Sequence, residues 1–108
     1  MIRATLFLCL FASPVLASVS NAEICAKAGS DNRLGEMTEA QCACFLDQGD
    51  RRMDRRLARL WKEALYTGQS REAEVLALGI SQSKMERQMH RTLRDARKSC
   101  GVQNPFGL

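Results

Sequence analysis

The sequence predicts an all-α fold, a disulfide-closed antiparallel hairpin of two long helices with a short helix in the connection. Two segments carry apolar residues at helical spacing, a helix-start signal precedes each of them, and several cysteines are distributed along the same segments. No segment alternates apolar and polar residues as a strand would. A chain of 108 residues buries a modest core, so disulfides would supply stability that packing alone does not.

The N-terminal segment is typical of a signal peptide. Arg3 precedes an apolar run from residue 4 to 16, which is shorter than the roughly 20 residues needed to span a bilayer. Small residues before Ala22 favour a cleaved signal peptide of residues 1–22, and cleavage after Ala17 is the alternative. The sequence therefore predicts export, to the periplasm of a Gram-negative bacterium or, alternatively, out of the cell.

The remaining chain divides by composition into three parts. Residues 23–36 are mostly small, polar or turn-forming, which predicts an irregular N-terminal arm. Residues 37–101 hold the helical patterns and form the predicted domain. Residues 102–108 form a C-terminal tail with one aromatic side chain, Phe106. No second apolar stretch approaches spanning length, so no transmembrane segment is expected in the mature form.

The first long helix is predicted to start at Thr38, which forms a capping box with Gln41. Its apolar stripe keeps one phase up to a C-terminal signal at Gly68, so one helix is expected rather than two. Gly49 costs about 1 kcal/mol relative to alanine in a helix interior, and a kink there is the alternative. The residues of the stripe are Cys42, Leu46, Met53, Leu57, Leu60 and Ala64.

The second half of the chain predicts a short helix and then a long one. Ser70 can cap a short helix that Gly79 ends. Ser83 and Glu86 form a second capping box, and Gly101 is the usual type of C-terminal stop. The apolar stripe of this second long helix consists of Met85, Met89, Leu93, Ala96 and Cys100.

Of the five cysteines, Cys9 lies in the predicted signal peptide, and the four that remain in a small exported chain predict two disulfides. Cys42 and Cys44 point in opposite directions on a helix, so each needs its own partner. Cys42 and Cys100 both lie on apolar stripes, which favours a bridge between them. Cys44 would then pair with Cys25, and the exchanged pairing is the alternative.

Neither an enzyme nor a cofactor-binding protein is indicated. The chain has one histidine, His90, no Gly-x-Ser-x-Gly motif, no phosphate-binding glycine loop and no zinc-type ligand spacing. A copper-handling protein is an alternative, because thiolate, thioether and imidazole groups are ligands for copper(I). The copper ligands would be Cys42, Cys44, Met85, Met89 and His90.

Basic residues form two ladders at helical spacing, one on each long helix, and the net charge is +4. Such ladders can hold an anionic component of the cell envelope or an acidic protein through attraction that salt weakens. Nucleic acid is not expected outside the cytoplasm. The ladders consist of Arg51, Arg55, Arg59 and Lys62 in the first helix, and of Lys84, Arg87, Arg91, Arg94 and Lys98 in the second.

Two helices cannot cover all the apolar side chains, and an exposed apolar patch usually marks an interface. The uncovered side chains are Trp61, Leu65, Val75, Leu78 and Phe106. We therefore expect a binding module that recognises a protein partner through Trp61 and Leu65, rimmed by Arg51, Arg55 and Arg59. A homodimer is one form of this hypothesis.

A chaperone that responds to acid or stress is a further alternative. Neutralised carboxylates would leave the basic residues repelling one another and would open the domain to clients.

Overall fold

A computed structural model describes residues 19–103, and in this part of the chain its regular elements are five helices, with no strand. None of these helices is long and apolar enough to cross a membrane. The helices are α1 (Asn21–Ser30), α2 (Glu39–Arg52), α3 (Arg55–Thr67), α4 (Glu72–Ala77) and α5 (Gln82–Cys100). The predicted signal peptide lies outside the described residues except for its last four positions, and Phe106 of the tail lies outside them as well.

The predicted irregular arm is wrong for most of its length, because α1 occupies residues 21–30. Ser20 and Glu23 form a capping box at its start, with Ser20 Oγ accepting from the Glu23 N–H at 3.1 Å. Ile24 and Ala28 are buried against α2 and α3, so α1 belongs to the core. Composition led to the wrong prediction for residues 23–36 because the capping box that starts α1 lies across the predicted cleavage point, with Ser20 before it and Glu23 after it.

The prediction of one long helix over residues 38–67 is also wrong, because α2 and α3 are separated at Met53 and Asp54. Met53 has an extended backbone, and the Asp54 side chain accepts hydrogen bonds from the N–H groups of Arg56 and Leu57. An aspartate at this position restarts a helix by satisfying its free N–H groups. The stripe keeps its phase across this joint, so periodicity alone could not reveal it.

Gly49 does not kink α2. Its lack of a side chain instead allows a side chain of α3 to pack closely against α2. A Cβ atom at this position would lie 2.4 Å from Cζ3 of Trp61, so the indole ring of α3 rests directly on the α2 backbone. The same ring meets Phe45 edge to face, with 5.2 Å between the ring centroids. The Trp61 side chain therefore lies packed between α2 and α3.

The short connecting helix and the final helix are present where the sequence placed them. The final helix begins at Gln82, with Ser81 Oγ accepting from the Lys84 N–H, and ends at Gly101 in a left-handed conformation. The N-cap residue, Ser81, therefore lies two residues before the predicted N-cap residue, Ser83. α5 packs along α2, and its buried contact residues are Thr92 and Ala96.

All four cysteines of the helical region form disulfides, but in the exchanged pairing. Cys25 pairs with Cys42, and Cys44 pairs with Cys100. The predicted bridges Cys42–Cys100 and Cys25–Cys44 are wrong because α1 is a packed helix rather than an outer arm. It presents Cys25 to the buried face of α2, where Cys42 lies. Two disulfides indicate an oxidising compartment outside the cytoplasm.

Within residues 19–103 the core consists of two apolar clusters. The larger joins α1, α2 and the end of α5 around Ile24, Phe45 and Leu46. The smaller joins α3, α4 and the first half of α5 around Met53, Leu57 and Ala58. Trp61 packs against both clusters, so it couples one half of the molecule to the other.

We expect Gly49→Ala to destabilise the protein although alanine is the better helix former. The gain in helix propensity is about 1 kcal/mol, whereas a methyl group forced against an aromatic ring in a packed core costs about 1–3 kcal/mol. Urea unfolding should show a net loss, and Trp61 emission should shift as its ring moves. Gly29→Ala is the matched control, because its new Cβ would meet the ends of the flexible side chains of Glu39 and Leu34. Equal or greater stability of Gly49→Ala would contradict the close contact.

Candidate functional site

The joint between α2 and α3 is fixed by two side chains of α5. Gln88 Oε1 accepts a hydrogen bond from the Asp54 backbone N–H at 2.7 Å, and Asp95 accepts one from Arg52 Nε at 2.6 Å. α5 packs along α2 below this joint, whereas α3 makes its main helix contacts with α1, α2 and α4. The first half of α5 and the length of α3 are therefore left facing each other across a groove.

This groove is apolar and has a volume of about 400 Å³. Met53 and Leu57 are more than nine-tenths buried and form its floor. Its walls are half-buried side chains of α3, α4 and α5, among them Trp61 and Met89. The full apolar lining is Met53, Leu57, Leu60, Trp61, Ala64, Val75, Met85 and Met89.

The rim of the groove carries few charges, and they are mixed. Arg71, Glu72, Gln82 and Glu86 line it. The Arg71 guanidinium lies 3.5 Å from Glu63 and 3.8 Å from Glu74, so its charge is largely balanced within the protein. Glu72 forms no ion pair with any residue between 19 and 103, and Glu86 accepts a hydrogen bond from Gln82. The rim is therefore weakly acidic rather than rich in arginine.

The structure brings together only two of the five residues predicted to bind a partner. Trp61 lines the groove and also a depression beside it, which it shares with Leu65, Arg33 and Gly68. Arg55 and Arg59 lie on the opposite side of α3, and Arg51 is exposed near the end of α2. The predicted arginine rim around the apolar side chains is thus not formed.

Arg55 and Arg59 instead border a second, polar depression of about 330 Å³. It is closed on one side by Lys62, whose ammonium group lies 2.9 Å from Asp50. Asn21 completes this cluster by donating to Asp50 at 3.0 Å and accepting from Lys62 at 3.2 Å. Its charged groups hold α1, α2 and α3 together, so we assign this cluster a role in stability.

Two carboxylates at the joint have lowered pKa values. The side chain of Arg56 donates to Asp54 and, with two backbone N–H groups, lowers its pKa. Desolvation raises the pKa of Asp95, but hydrogen bonds and charge from Arg52 and Arg94 outweigh it and lower the pKa overall. Carboxylates of this kind stabilise the fold above their ordinary pKa of 3.8 and lose that effect as pH falls through the lowered value. Acid opening of the joint would therefore begin below about pH 4.

The structure does not bring the five predicted copper ligands together. Cys42 and Cys44 are both in disulfides and have no thiolate to offer. Met85 lies fifteen residues before Cys100 on α5, which places it about 22 Å along the helix from the Cys44 bridge. His90 is exposed beside Arg87 and Arg91, outside the groove that Met89 lines. Among residues 19–103 no three His, Cys, Asp or Glu side chains are grouped to hold a metal ion.

Two parts of the site escaped the sequence analysis. Met53, Met85 and Met89 are correctly placed on apolar stripes, but the sequence did not indicate that an apolar groove lies where the stripes of α3 and α5 meet. The available signal was Asp54 itself, an N-cap residue within a continuous stripe. Arg33 was also missed, and its guanidinium donates to the backbone oxygens of Leu65 and Tyr66, which fixes the end of α3.

Comparison with known proteins finds no family model, no curated protein and no solved structure that matches this chain.

Proposed function

We propose that this chain is an exported, disulfide-stabilised binding module that holds an amphipathic helix of a protein partner in the groove between α3 and α5. The observation that supports the proposal most directly is the apolar groove of about 400 Å³ with Trp61 in its wall. The two disulfides are those expected of a small domain in the periplasm or outside the cell.

The dimensions of the groove favour a helical segment as the occupant. Its lining on α3 runs from Leu57 to Ala64, and on α5 from Gln82 to Met89. Seven residues of helix rise about 10 Å, so the groove accommodates about two turns of a partner helix. Such a helix would insert apolar side chains at positions i, i+3, i+4 and i+7.

The chemistry of the groove indicates which helix it would accept. Methionine side chains are flexible and polarisable, so Met53, Met85 and Met89 can adapt to leucine, isoleucine or phenylalanine on the partner. The carboxylates of Glu72 and Glu86 on the rim favour cationic residues flanking that apolar stripe. The groove would therefore select a partner helix with cationic residues, whereas the net charge of the chain alone favours an acidic partner.

The proposal is tested with a synthetic helix as the probe, because Trp61 is the only tryptophan and reports on the groove directly. The probe has leucines at i, i+3, i+4 and i+7 with flanking lysines, and its control contains the same residues in an order that disperses the leucines. We expect the probe to shift Trp61 emission saturably, and Leu60→Asp to weaken binding at least about tenfold, because it places a charge in an apolar wall. Leu76→Asp is the matched control, since Leu76 is 70 % exposed and lies outside the groove.

Several outcomes would contradict the proposal. Equal binding of the dispersed control peptide would mean nonspecific adsorption. Equal effects of Leu60→Asp and Leu76→Asp would place the binding elsewhere. A dimer in sedimentation equilibrium that Leu60→Asp dissociates would make a second copy of this chain the occupant.

A further inference from the structure

The outer face of α5 carries a row of five cations, which we call the α5 ridge. Successive members are three or four residues apart, so they share one face of the helix. All five side chains are exposed. The row covers fifteen residues of helix, a rise of fourteen residues, and is therefore about 21 Å long. Its members are Lys84, Arg87, Arg91, Arg94 and Lys98.

Most of the described cations outside the α5 ridge form an ion pair with a carboxylate, whereas most members of the ridge do not. Lys62 pairs with Asp50 at 2.9 Å, Arg52 with Asp95 at 2.6 Å, and Arg56 with Asp54 at 3.2 Å. On the ridge Arg94 contacts Asp95 at 3.4 Å, a carboxylate that it shares with Arg52. The other four ridge cations form no ion pair with any residue in the part of the chain that the structure describes.

The α5 ridge and the groove lie on opposite sides of the same helix. Met85 and Met89 line the groove, whereas Arg87 and Arg91 follow them by about 200° around the helix axis. A ligand on the ridge would therefore leave the groove open. Arg87, Arg91 and Arg94 line one depression on this face of the helix, and the row extends beyond it to Lys84 and Lys98.

We propose that the α5 ridge docks this protein on the surface of an anionic phospholipid bilayer, with the groove turned away from the membrane. A row of exposed cations about 21 Å long is too extended to surround a single anion, but it can meet many phosphate groups of a planar surface at once. Three of the five are arginines, whose planar guanidinium groups bind phosphate oxygens in pairs. This proposal goes beyond the groove and does not depend on what occupies it.

The test is cosedimentation with vesicles of phosphatidylcholine that contain about a third phosphatidylglycerol, with pure phosphatidylcholine as the neutral comparison. We expect binding to the anionic vesicles alone and its loss at high salt, where the Debye length falls to about 3 Å. Each cation close to such a surface contributes roughly a fivefold gain in affinity. The triple variant Lys84→Gln, Arg87→Gln, Arg91→Gln should therefore bind about 100-fold more weakly.

The matched control is the triple variant Arg51→Gln, Arg55→Gln, Arg59→Gln, which removes the same net charge from α2 and α3. We expect it to keep most of the affinity for anionic vesicles. Equal losses in the two triple variants would show attraction by net charge without a docking face and would overturn the proposal. Binding of polyglutamate without binding of vesicles would overturn it too, by assigning the ridge to an acidic protein. Trp61 emission with the synthetic helix tests the groove separately in every variant.

Discussion

Replacing Cys44 and Cys100 with alanine is expected to lower the free energy of unfolding by about 4 kcal/mol. The bridge joins residues 56 positions apart, and in the chain-entropy model a closed loop of that length restricts the unfolded chain by this amount. A small domain has a total stability of roughly 5–15 kcal/mol, so the loss is a large part of it. Urea unfolding followed by far-ultraviolet circular dichroism measures the change. A loss under about 1 kcal/mol would contradict the expected effect on the unfolded chain.

The two disulfides should also differ in their rates of reduction. Cys25 and Cys42 are completely buried between α1 and α2, whereas Cys44 and Cys100 are half-buried at the outer surface of the α2–α5 contact. A reductant must reach a sulfur atom, so access controls the rate. Mass mapping under limited reduction should find Cys44 and Cys100 opened first. Opening of Cys25–Cys42 first would mean that α1 separates from α2 before α5 does.

The sequence could predict most helices because their signals are local. The capping box at Thr38, the N-terminal signals around Ser81 and Ser83, and the stop at Gly101 depend on neighbours within one turn. The break at Asp54 is different, because it is stabilised by a hydrogen bond from its backbone to Gln88, 34 residues later. No local pattern contains that contact, and an uninterrupted stripe argued against a break.

The sequence did not predict the observed disulfide pairing or the observed site, and the two failures have a related reason. Both depend on where α1 and α3 lie relative to α2, and the composition of residues 23–36 gave no warning of a packed helix. Gly49 illustrates the difficulty, since a glycine in a helix suggests a kink. Here it permits Trp61 to approach the backbone. The basic ladder of α5 was readable from spacing alone, because an exposed face needs no partner to define it.

The groove and the α5 ridge together give α5 two distinct surfaces. The half of α5 that follows Gln88 is fixed to α2 by Thr92, Ala96 and the Cys44–Cys100 bridge. The half that precedes Gln88 carries most of the groove wall on one side and two ridge cations, Lys84 and Arg87, on the other. Because the second half of α5 is fixed to α2, the first half presents the groove wall and the α5 ridge together. Neither surface has to move relative to the other.

We expect the mature protein to begin at Ser18, through cleavage after Ala17, rather than at Glu23. Ser20 caps α1, and Val19 packs against the larger core cluster. Asn21 donates to Asp47 at 2.7 Å and to Asp50 at 3.0 Å, and accepts from Lys62. Cleavage after Ala22 would remove Val19, Ser20 and Asn21 and, with them, all these contacts.

Such a cleavage would cost stability in two further ways. It would place a new ammonium group at the N-terminus of α1, where the helix dipole disfavours positive charge. It would also leave Asp47 and Asp50 without the amide that joins them to α1. With about 1 kcal/mol for the lost cap and a similar amount for the lost hydrogen bonds, the chain that begins at Glu23 should be about 2–3 kcal/mol less stable than the chain that begins at Ser18.

Two measurements check this prediction. The intact mass of protein recovered from its export compartment should correspond to residues 18–108, and urea unfolding should rank the chain from Ser18 above the chain from Glu23. Asn21→Ala in the longer chain separates the effect of the polar cluster from that of the cap. A mature mass beginning at Glu23 would contradict the assigned cleavage site. Equal stability of the two chains would mean that the contacts of Val19, Ser20 and Asn21 do not hold α1 in place.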